Sequence, residues 1–313
     1  MPTFTVPRTD HSYTDAHGVT IHYYVWESPH AHAALQLTHG LGDHALRYEL
    51  VAQALATAGY TVYADDHRGH GATGLGQNDG DASKLGKLGK GGLRAATENI
   101  RELTKIIRAE NPDLPLALLG QSWGSLMVQD VLNNHADEYD VAILTGTAHR
   151  TFGHMNSGNL NAQHKDLGTT GYEWLSRDPQ VAEDFVNDPL TFYADALKLF
   201  GPIDSMRLLG RPTKHIKRDI PLLIMIGEED SLGGETSIEW LAADYATRSR
   251  LTDMEAIVYP GARHEIFNET NKDEVVTDLI AWLDVRLKAA PKKAAPKKAA
   301  PNKAAPHKAA PHK

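Results

Sequence analysis

Short apolar runs alternate with amphipathic helical patterns along most of the chain, and this alternation constrains the fold more than any other feature. Seven runs have the continuous apolar character of strands that are buried on both faces of a sheet. They cover residues 19–25, 34–37, 60–64, 116–119, 141–144, 222–226 and 255–258. Strands that alternate with helices predict an α/β fold with a mainly parallel sheet flanked by helices.

Three segments between or after these runs have the spacing of amphipathic helices. In residues 93–110, apolar side chains recur at intervals of three and four, and the pair Asn111-Pro112 ends the pattern. Residues 48–58 carry a similar apolar stripe, which is followed by Gly59 as a typical C-terminal stop. Residues 275–287 predict a further amphipathic helix at the end of the folded part.

The alternation is interrupted between about residues 148 and 219, where no buried strand is predicted. Asp178-Pro179 and Asp188-Pro189 are each typical of a helix start, because aspartate caps the first turn and proline is tolerated in it. We therefore expect a helical insertion that covers a site. The sequence predicts a core in two parts, residues 1–147 and 220–288. It also predicts a helical cap at residues 148–219 and a tail at residues 289–313.

The tail consists of five tandem pentads, each of which contains a proline. The chain has a formal net charge of −8, yet 8 lysines and no acid lie from residue 288 onward, so 24 basic and 40 acidic residues remain elsewhere. A proline every five residues prevents a continuous helix, and apolar residues are too few to pack. We expect a disordered polycation that is either a solubilising spacer or a weak electrostatic contact for nucleic acid, an anionic membrane or an acidic polymer.

Several classes of site and location are disfavoured by the sequence. Cysteine is absent, which excludes disulfides, thiolate zinc sites and a cysteine nucleophile. No segment approaches the roughly 20 apolar residues of a membrane helix, and residues 1–15 do not resemble a signal peptide. We expect a cytoplasmic protein, with peripheral contact to membrane or nucleoid only through the tail. The pair His67 and His70 lacks the pattern of a zinc motif, and no phosphate-binding loop is present, so no metal or cofactor is expected.

The strongest chemical signal is residues 120–124 (GQSWG), a G-x-S-x-G pattern between a predicted strand and a predicted helix. A sharp strand-to-helix turn forces its central residue into a strained conformation, and Gly120 and Gly124 allow neighbouring backbone to pack close. Ser122 would stand above the carboxyl edge of the sheet, near a helix N-terminus that favours developing negative charge. Ser122 is therefore the candidate nucleophile.

A serine hydroxyl needs a base, and in this class of site an acid and a histidine follow later strands in that order. The run 222–226 leads into residues 227–231 (GEEDS), and the run 255–258 leads into residues 259–264 (YPGARH). His264 is the candidate general base, and Asp230 is the favoured partner that orients and stabilises its ring. Glu228 and Glu229 are adjacent alternatives for the acid.

Acyl transfer also needs N–H donors for the oxyanion that develops on the substrate. One donor is expected from Trp123, the residue after the nucleophile. The other is expected from residues 38–44 (THGLGDH), which follow the run 34–37 and in which flanking glycines let the N–H of Leu41 point inward. Leu41 and Trp123 are therefore the candidate oxyanion-hole residues.

With these motifs the chain resembles α/β-hydrolases of the serine aminopeptidase family, and it is similar to the monoacylglycerol lipases and bacterial lysophospholipase-like proteins. The resemblance covers about residues 19–287 and also rests on residues 66–71 (DHRGHG) and on the Asp-Pro segments of the insertion. It implies an eight-stranded, mostly parallel sheet under a helical lid, and a Ser122–Asp230–His264 triad with an oxyanion hole from Leu41 and Trp123. It further implies hydrolysis of carboxylic esters of lipid-like alcohols.

Departures from the family pattern leave the substrate open. Gln121 and Trp123 stand where lipases of this group often carry histidine and methionine, and the bulky Trp123 would narrow an acyl pocket. The apolar residues of the insertion either form the core of the cap or line an acyl-chain pocket. We expect a serine hydrolase of monoacylglycerol-like or lysophospholipid-like esters. The alternatives are an aminopeptidase or amidase of the same fold, and a nucleic-acid- or envelope-associated binding protein that uses the tail.

Overall fold

The computed structural model describes residues 6–288, so the predicted tail at residues 289–313 lies outside the described part. Eight strands form one sheet, and the prediction of an α/β-hydrolase architecture is confirmed. The strands are β1 (Arg8–Thr14), β2 (Thr20–Trp26), β3 (Ala33–Thr38), β4 (Tyr60–Asp65), β5 (Leu116–Gln121), β6 (Val141–Thr145), β7 (Leu222–Gly227) and β8 (Met254–Tyr259).

The sheet has the strand order β1-β2-β4-β3-β5-β6-β7-β8. β2 pairs antiparallel with β1 and β4, and all other neighbours are parallel. Parallel strands need crossover connections, which the helices between them supply. Seven strands correspond to the predicted apolar runs, whereas β1 was not predicted because almost all of its side chains are exposed.

Eight α-helices accompany the sheet in the described residues. They are α1 (Glu49–Thr57), α2 (Gly71–Gln77), α3 (Gly92–Glu110), α4 (Trp123–His135), α5 (Pro179–Asn187), α6 (Ala196–Arg207), α7 (Gly234–Ala243) and α8 (Lys272–Leu287). Apolar residues of α1 and α8 pack on one face of the sheet, and those of α3, α4 and α7 pack on the other. No helix in residues 6–288 has the length and apolar character needed to cross a membrane.

The cap lies between β6 and β7 and contains α5 and α6. Asp178 caps α5 through a hydrogen bond from the Gln180 N–H, so the predicted helix start at Asp178-Pro179 is confirmed. The helix start predicted at Asp188-Pro189 is wrong, because α5 ends there and α6 begins only after Asp195. Oδ1 of Asp188 accepts the Leu190 N–H in a local turn, while its Oδ2 lies 2.9 Å from Nε2 of His44 in the loop after β3 and thereby ties the cap to the core.

Candidate active site

The loops that carry the candidate residues leave the sheet at one edge. In the parallel register, residues at or next to the ends of neighbouring strands pair with one another: Thr38 of β3 with Gly120 of β5, and Gly227 of β7 with Tyr259 of β8. The chain segments that follow β3, β5, β7 and β8 therefore start from the same carboxyl edge. Side chains more than 200 residues apart in the sequence are brought to one region in this way.

Ser122 occupies the sharp turn between β5 and α4, and its backbone is strained. Its φ of 54° and ψ of −123° lie in a region that residues with a side chain rarely adopt. Glycine is required on both sides of this turn. A Cβ on Gly120 would lie 2.7 Å from the Cα of Ser125, and one on Gly124 would lie 2.6 Å from the carbonyl oxygen of His39. Neighbouring backbone thus fills the space that side chains would need.

Replacement of Gly124 by alanine should lower the free energy of unfolding by about 2–3 kcal/mol, because the added methyl group meets backbone that cannot rotate away. Gly76 is the matched control, since it is exposed near the end of α2 and a Cβ there would meet nothing within 4 Å. Gly76→Ala should stabilise the protein by about 0.5–1 kcal/mol. Urea unfolding of both variants measures the difference, and equal stabilities would contradict the close approach at Gly124.

His264 and Asp230 form a buried hydrogen-bonded pair. Nδ1 of His264 lies 2.8 Å from Oδ1 of Asp230, and both side chains are almost inaccessible to solvent. Because a carboxylate accepts hydrogen bonds, Nδ1 carries the proton, and Nε2 is left as the acceptor. Within residues 6–288, Nε2 of His264 has no hydrogen-bond partner, and no hydrogen bond joins it to the hydroxyl of Ser122.

The two alternative acids lie in different surroundings. Glu228 accepts a hydrogen bond of 2.7 Å from the N–H of Gly261. The Glu229 side chain is 50% exposed and lies 3.8 Å from the Arg263 guanidinium. Neither carboxylate contacts the His264 ring, so the structure brings only Asp230 to it.

The protonation of His264 reflects two opposing effects. Burial disfavours the charged imidazolium and is the largest single effect, but the nearby carboxylates, led by Asp230, together stabilise it by more, so the pKa of His264 lies above its usual value of 6.5. Glu265 and Asp43 add to this stabilisation. The site therefore favours an imidazole that takes up a proton readily, as a general base must.

The loop after β3 lies directly against Ser122. A Cβ on Gly40 would stand 3.2 Å from Cβ of Ser122 and 3.6 Å from its Oγ. The N–H of Leu41 donates to no group in the described part of the chain. Trp123 is the first residue of α4, where backbone N–H groups have no partner within the helix. Two N–H groups that could stabilise an anion thus flank the Ser122 turn.

Two neutral histidines hold this loop. Nε2 of His39 accepts a hydrogen bond of 3.0 Å from the His67 N–H, and Nε2 of His70 accepts one of 3.1 Å from the Gly42 N–H. A protonated ring nitrogen could not accept these bonds. Burial keeps both rings neutral, since it lowers the pKa of His39 and brings that of His70 to about 3.

Nδ1 of His67 lies 2.9 Å from Oδ2 of the buried Asp65. Both members of the pair His67 and His70 therefore make hydrogen bonds within the protein. In residues 6–288 no group of three or more histidine, aspartate or glutamate side chains is arranged to hold a metal ion.

The sequence predicted no positioning role for several residues that hold the site in place. Nε2 of Gln121 donates to the carbonyl oxygen of His264 at 3.1 Å and joins β5 to the histidine loop. Arg47 forms two hydrogen bonds of 2.7 Å with Glu265, and a third of 3.0 Å with Asp43. Gln121 precedes the candidate nucleophile and Glu265 follows the candidate base, so their positions in the sequence could have indicated a role at the site. Nothing in the sequence marks Arg47, since its partner lies 218 residues away.

Aromatic side chains of the cap reach the site. The Trp174 ring lies 4.6 Å from the His264 ring, and the Phe200 ring lies 5.4 Å from that of Trp123. Other apolar side chains of the cap are buried, namely Leu175, Ala182 and Phe185, and the Phe185 ring lies 4.8 Å from the guanidinium carbon of Arg47 in the core. Some apolar residues of the insertion are thus buried and others contact rings at the site, while Leu167, Tyr193 and Leu197 are exposed.

Comparison with known proteins agrees with this architecture. Residues 29–271 match the model of the serine aminopeptidase S33 family. The monoacylglycerol lipase of Mycolicibacterium smegmatis is 31% identical over 295 residues, which cover 88% of this chain and 97% of that protein.

Two solved structures are similar in fold. A highly thermostable carboxyl esterase from Bacillus coagulans, in complex with glycerol, has a TM-score of 0.75 at 24% identity over 90% of this chain and 100% of that chain. A soluble variant of the Saccharomyces cerevisiae monoglyceride lipase, in complex with a substrate analogue, has a TM-score of 0.72 at 20% identity. The match covers 91% of this chain and 97% of that chain.

Proposed function

Because the chain belongs to the serine aminopeptidase S33 family and is a serine hydrolase of carboxylic esters, we propose that it cleaves monoacylglycerol-like or lysophospholipid-like esters through an acyl-enzyme. In this proposal Ser122 is the nucleophile, His264 the general base and Asp230 the acid that orients the base. The main support for this proposal is the buried 2.8 Å hydrogen bond between His264 and Asp230. It lies at the same edge of the sheet as the strained turn of Ser122.

Acylation begins with attack of the Ser122 Oγ on the ester carbonyl carbon, while Nε2 of His264 takes the hydroxyl proton. Negative charge moves to the carbonyl oxygen, where the N–H groups of Leu41 and Trp123 stabilise it, each contributing about 3–4 kcal/mol to lowering the barrier. The tetrahedral intermediate then expels the alcohol, which receives the proton from His264. The products of this half-reaction are the free alcohol and the acyl ester of Ser122.

Deacylation repeats these steps with water as the nucleophile. His264 takes a proton from the water molecule, which attacks the acyl carbon, and the same two N–H groups bind the second oxyanion. Collapse of this intermediate returns the proton to Ser122 and releases the carboxylic acid. Asp230 stays ionised throughout, because its role is to fix the tautomer of His264 and to stabilise the imidazolium.

The lining of the site supports an ester with an apolar acyl chain. Trp174 and Phe200 of the cap lie against the rings of His264 and Trp123, so aromatic surface of the cap adjoins the base and the residue after the nucleophile. An aminopeptidase would need a free carboxylate for the substrate ammonium group. The carboxylates beside the loop after β3 are already paired: Asp43 and Glu265 with Arg47, and Asp188 with His44.

A substrate panel tests this proposal. The full-length protein is assayed with monoacylglycerols, lysophospholipids, p-nitrophenyl esters of increasing chain length and amino-acid anilides. We expect kcat/KM for esters to exceed that for anilides by about 100-fold or more, which corresponds to roughly 2.7 kcal/mol in the barrier. Ser122→Ala is the control for activity from contaminants. A preference for anilides would replace the ester hydrolase by the aminopeptidase or amidase alternative.

A further inference from the structure

A cavity of about 250 Å³ lies between the core and the cap, and none of the proposed catalytic residues lines it. Its walls come from the start of α3, from α4, from the loop after β6 and from the end of α6. Three arginines line it together with acidic and apolar residues, so we call it the arginine pocket. Its lining includes Arg94, Arg150, Arg207, Asp130, Met127 and Leu208.

Arg150 is the unusual member of this pocket, because its charge is buried without a close partner. Its side chain is 3% exposed, and its Nε has no hydrogen-bond partner among the described residues. The nearest carboxylate oxygen, on Asp130, lies 3.7 Å from Nη2, and the Asp130 side chain is 54% exposed to solvent. A charge-assisted hydrogen bond between such groups would measure about 2.7–2.9 Å. Burial accordingly lowers the pKa of Arg150.

Other buried arginines of this protein are paired with carboxylates. Arg68 is fully buried and bonds to the buried carboxylate of Asp15. Arg47 is largely buried and forms the two 2.7 Å hydrogen bonds with Glu265. Because an unpaired charge inside a protein is costly, the fold supplies a close anion in these two cases but not at Arg150.

The remaining charges leave the pocket positive. Arg94 makes no ion pair in residues 6–288, and Arg207 is paired with Asp204, whose other oxygen accepts the Leu93 N–H. Asp130 is thus the only acidic side chain among those that line the pocket, against three guanidinium groups. An anion that entered this cavity would meet a net positive charge and donors with unused hydrogen-bonding capacity.

We propose that the arginine pocket binds an oxyanion, either a phosphate or a carboxylate group, which accepts hydrogen bonds from Arg150. Guanidinium groups recognise both groups with the same paired N–H donors. Met127 and Leu208 provide an apolar wall for whatever carries the anionic group. The site is separate from the ester cleavage proposed above and does not depend on it.

The location of the pocket gives the bound anion a structural consequence. Arg150 lies in the segment that enters the cap, Arg207 and Leu208 lie at the end of α6, and Arg94 lies on the core helix α3. An anion bonded to these side chains would connect the cap to the core. We therefore expect occupancy to slow hydrogen exchange of backbone amides in α6.

Thermal unfolding of the full-length protein tests this proposal, with chloride exchanged for phosphate or for acetate at constant ionic strength. At saturation the unmodified protein should gain about 2–4 °C in Tm, since a ligand that binds only the native state stabilises it by mass action. Arg150→Met should abolish this gain, and Arg94→Met should reduce it. Arg286→Met is the matched control, because Arg286 lies on α8 and is paired with Asp253 at 2.7 Å. It should keep the full gain.

The anions distinguish the possible ligands. A gain with phosphate alone identifies a phosphate group, a gain with acetate alone identifies a carboxylate, and a gain with both supports a general oxyanion site. The proposal is overturned if neither anion raises Tm above the chloride value, or if Arg150→Met and Arg94→Met respond as strongly as Arg286→Met. Hydrogen exchange in α6 that is unchanged by the anions would refute the connection between cap and core.

Discussion

Replacement of Ser122 by alanine is expected to reduce kcat for ester hydrolysis by a factor on the order of 10⁵–10⁶, the loss typical of removing a triad nucleophile. The turn keeps its backbone because Gly120 and Gly124 remain, so the oxyanion donors stay in place and only the attacking oxygen is lost. Steady-state kinetics with a p-nitrophenyl ester measures the change. A fluorophosphonate probe should label the unmodified protein at residue 122 and leave the variant unlabelled.

Ser125 provides the matched control for this experiment. It lies one helical turn from Ser122, is buried, and donates its hydroxyl to the Ser122 carbonyl oxygen at 2.6 Å. Ser125→Ala should keep fluorophosphonate labelling and most of the activity. Labelling that persists in Ser122→Ala, or that disappears in Ser125→Ala, would move the nucleophile away from residue 122 and contradict the mechanism.

The strain at Ser122 predicts a stability difference that is independent of activity. Ser122→Gly and Ser122→Ala both lack the hydroxyl, but only glycine adopts a φ of 54° without a steric penalty. The glycine variant should therefore be more stable than the alanine variant by roughly 1–2 kcal/mol, although glycine ordinarily destabilises. Urea unfolding of the two inactive variants isolates this effect, and a less stable glycine variant would argue against a strained turn.

The sequence predicted the strands that carry an apolar run and missed the one that does not. β3, β4, β5, β6 and β7 are buried along their whole length, because both of their faces exclude water, whereas β2 and the edge strand β8 are partly exposed but keep an apolar run. β1 has six exposed residues out of seven, so no apolar pattern marks it, and its pairing with β2 is set by backbone hydrogen bonds. Such an edge strand depends on its neighbour rather than on its own side chains.

Local rules were reliable where the interaction is local. Asp178 caps α5 through an N–H two residues away, which a short motif can encode. At Asp188 the local bond also forms, since Oδ1 accepts the Leu190 N–H at 2.8 Å, but the chain makes only a turn there and α6 begins after Asp195. The motif thus predicts the capped turn, whereas continuation into a helix depends on the residues that follow it.

The sequence predicted only those residues of the candidate site that belong to a short motif. Strand order and the G-x-S-x-G turn indicate Ser122 and His264 as candidates and favour Asp230 as the acid. They leave Glu228 and Glu229 open, because the backbone geometry that separates three adjacent carboxylates is not displayed by a sequence. In the structure, Asp230 alone reaches the imidazole. The Arg47–Glu265 pair was beyond prediction, because charged partners 218 residues apart carry no shared pattern.

Asp230→Asn should lower kcat about 10⁴-fold, because the asparagine amide can donate to Nδ1 and so favours the tautomer with the proton on Nε2. That tautomer cannot take the proton of Ser122. Oδ1 of Asp230 also accepts the Leu232 N–H at 2.8 Å, so an asparagine whose NH2 group faces Nδ1 gives up that hydrogen bond, at a cost of about 1 kcal/mol that the fold should survive. Kinetics at the pH optimum of each protein measures the loss, and circular dichroism checks the fold.

The pH profile separates this role from a merely structural one. The neutral imidazole is the active base, and the raised pKa of His264 places the acidic limb of kcat/KM above pH 6.5 in the unmodified protein. Without the Asp230 charge, the effect of burial dominates, so the pKa falls and the residual activity of Asp230→Asn should persist to lower pH. An unshifted limb would mean that Asp230 does not act on the imidazole.

Glu228→Gln and Glu229→Gln remove the same charge from the adjacent positions and are the matched controls. Glu228 bonds to the Gly261 N–H and Glu229 is half exposed, so neither change alters the His264 ring directly. Both variants should keep kcat within about threefold of the unmodified protein, with the acidic limb unmoved, because exposed charges act weakly through solvent. If either change reduced kcat more than Asp230→Asn, the acid of the triad would be that glutamate, and the hydrogen bond between Asp230 and His264 would have no catalytic role.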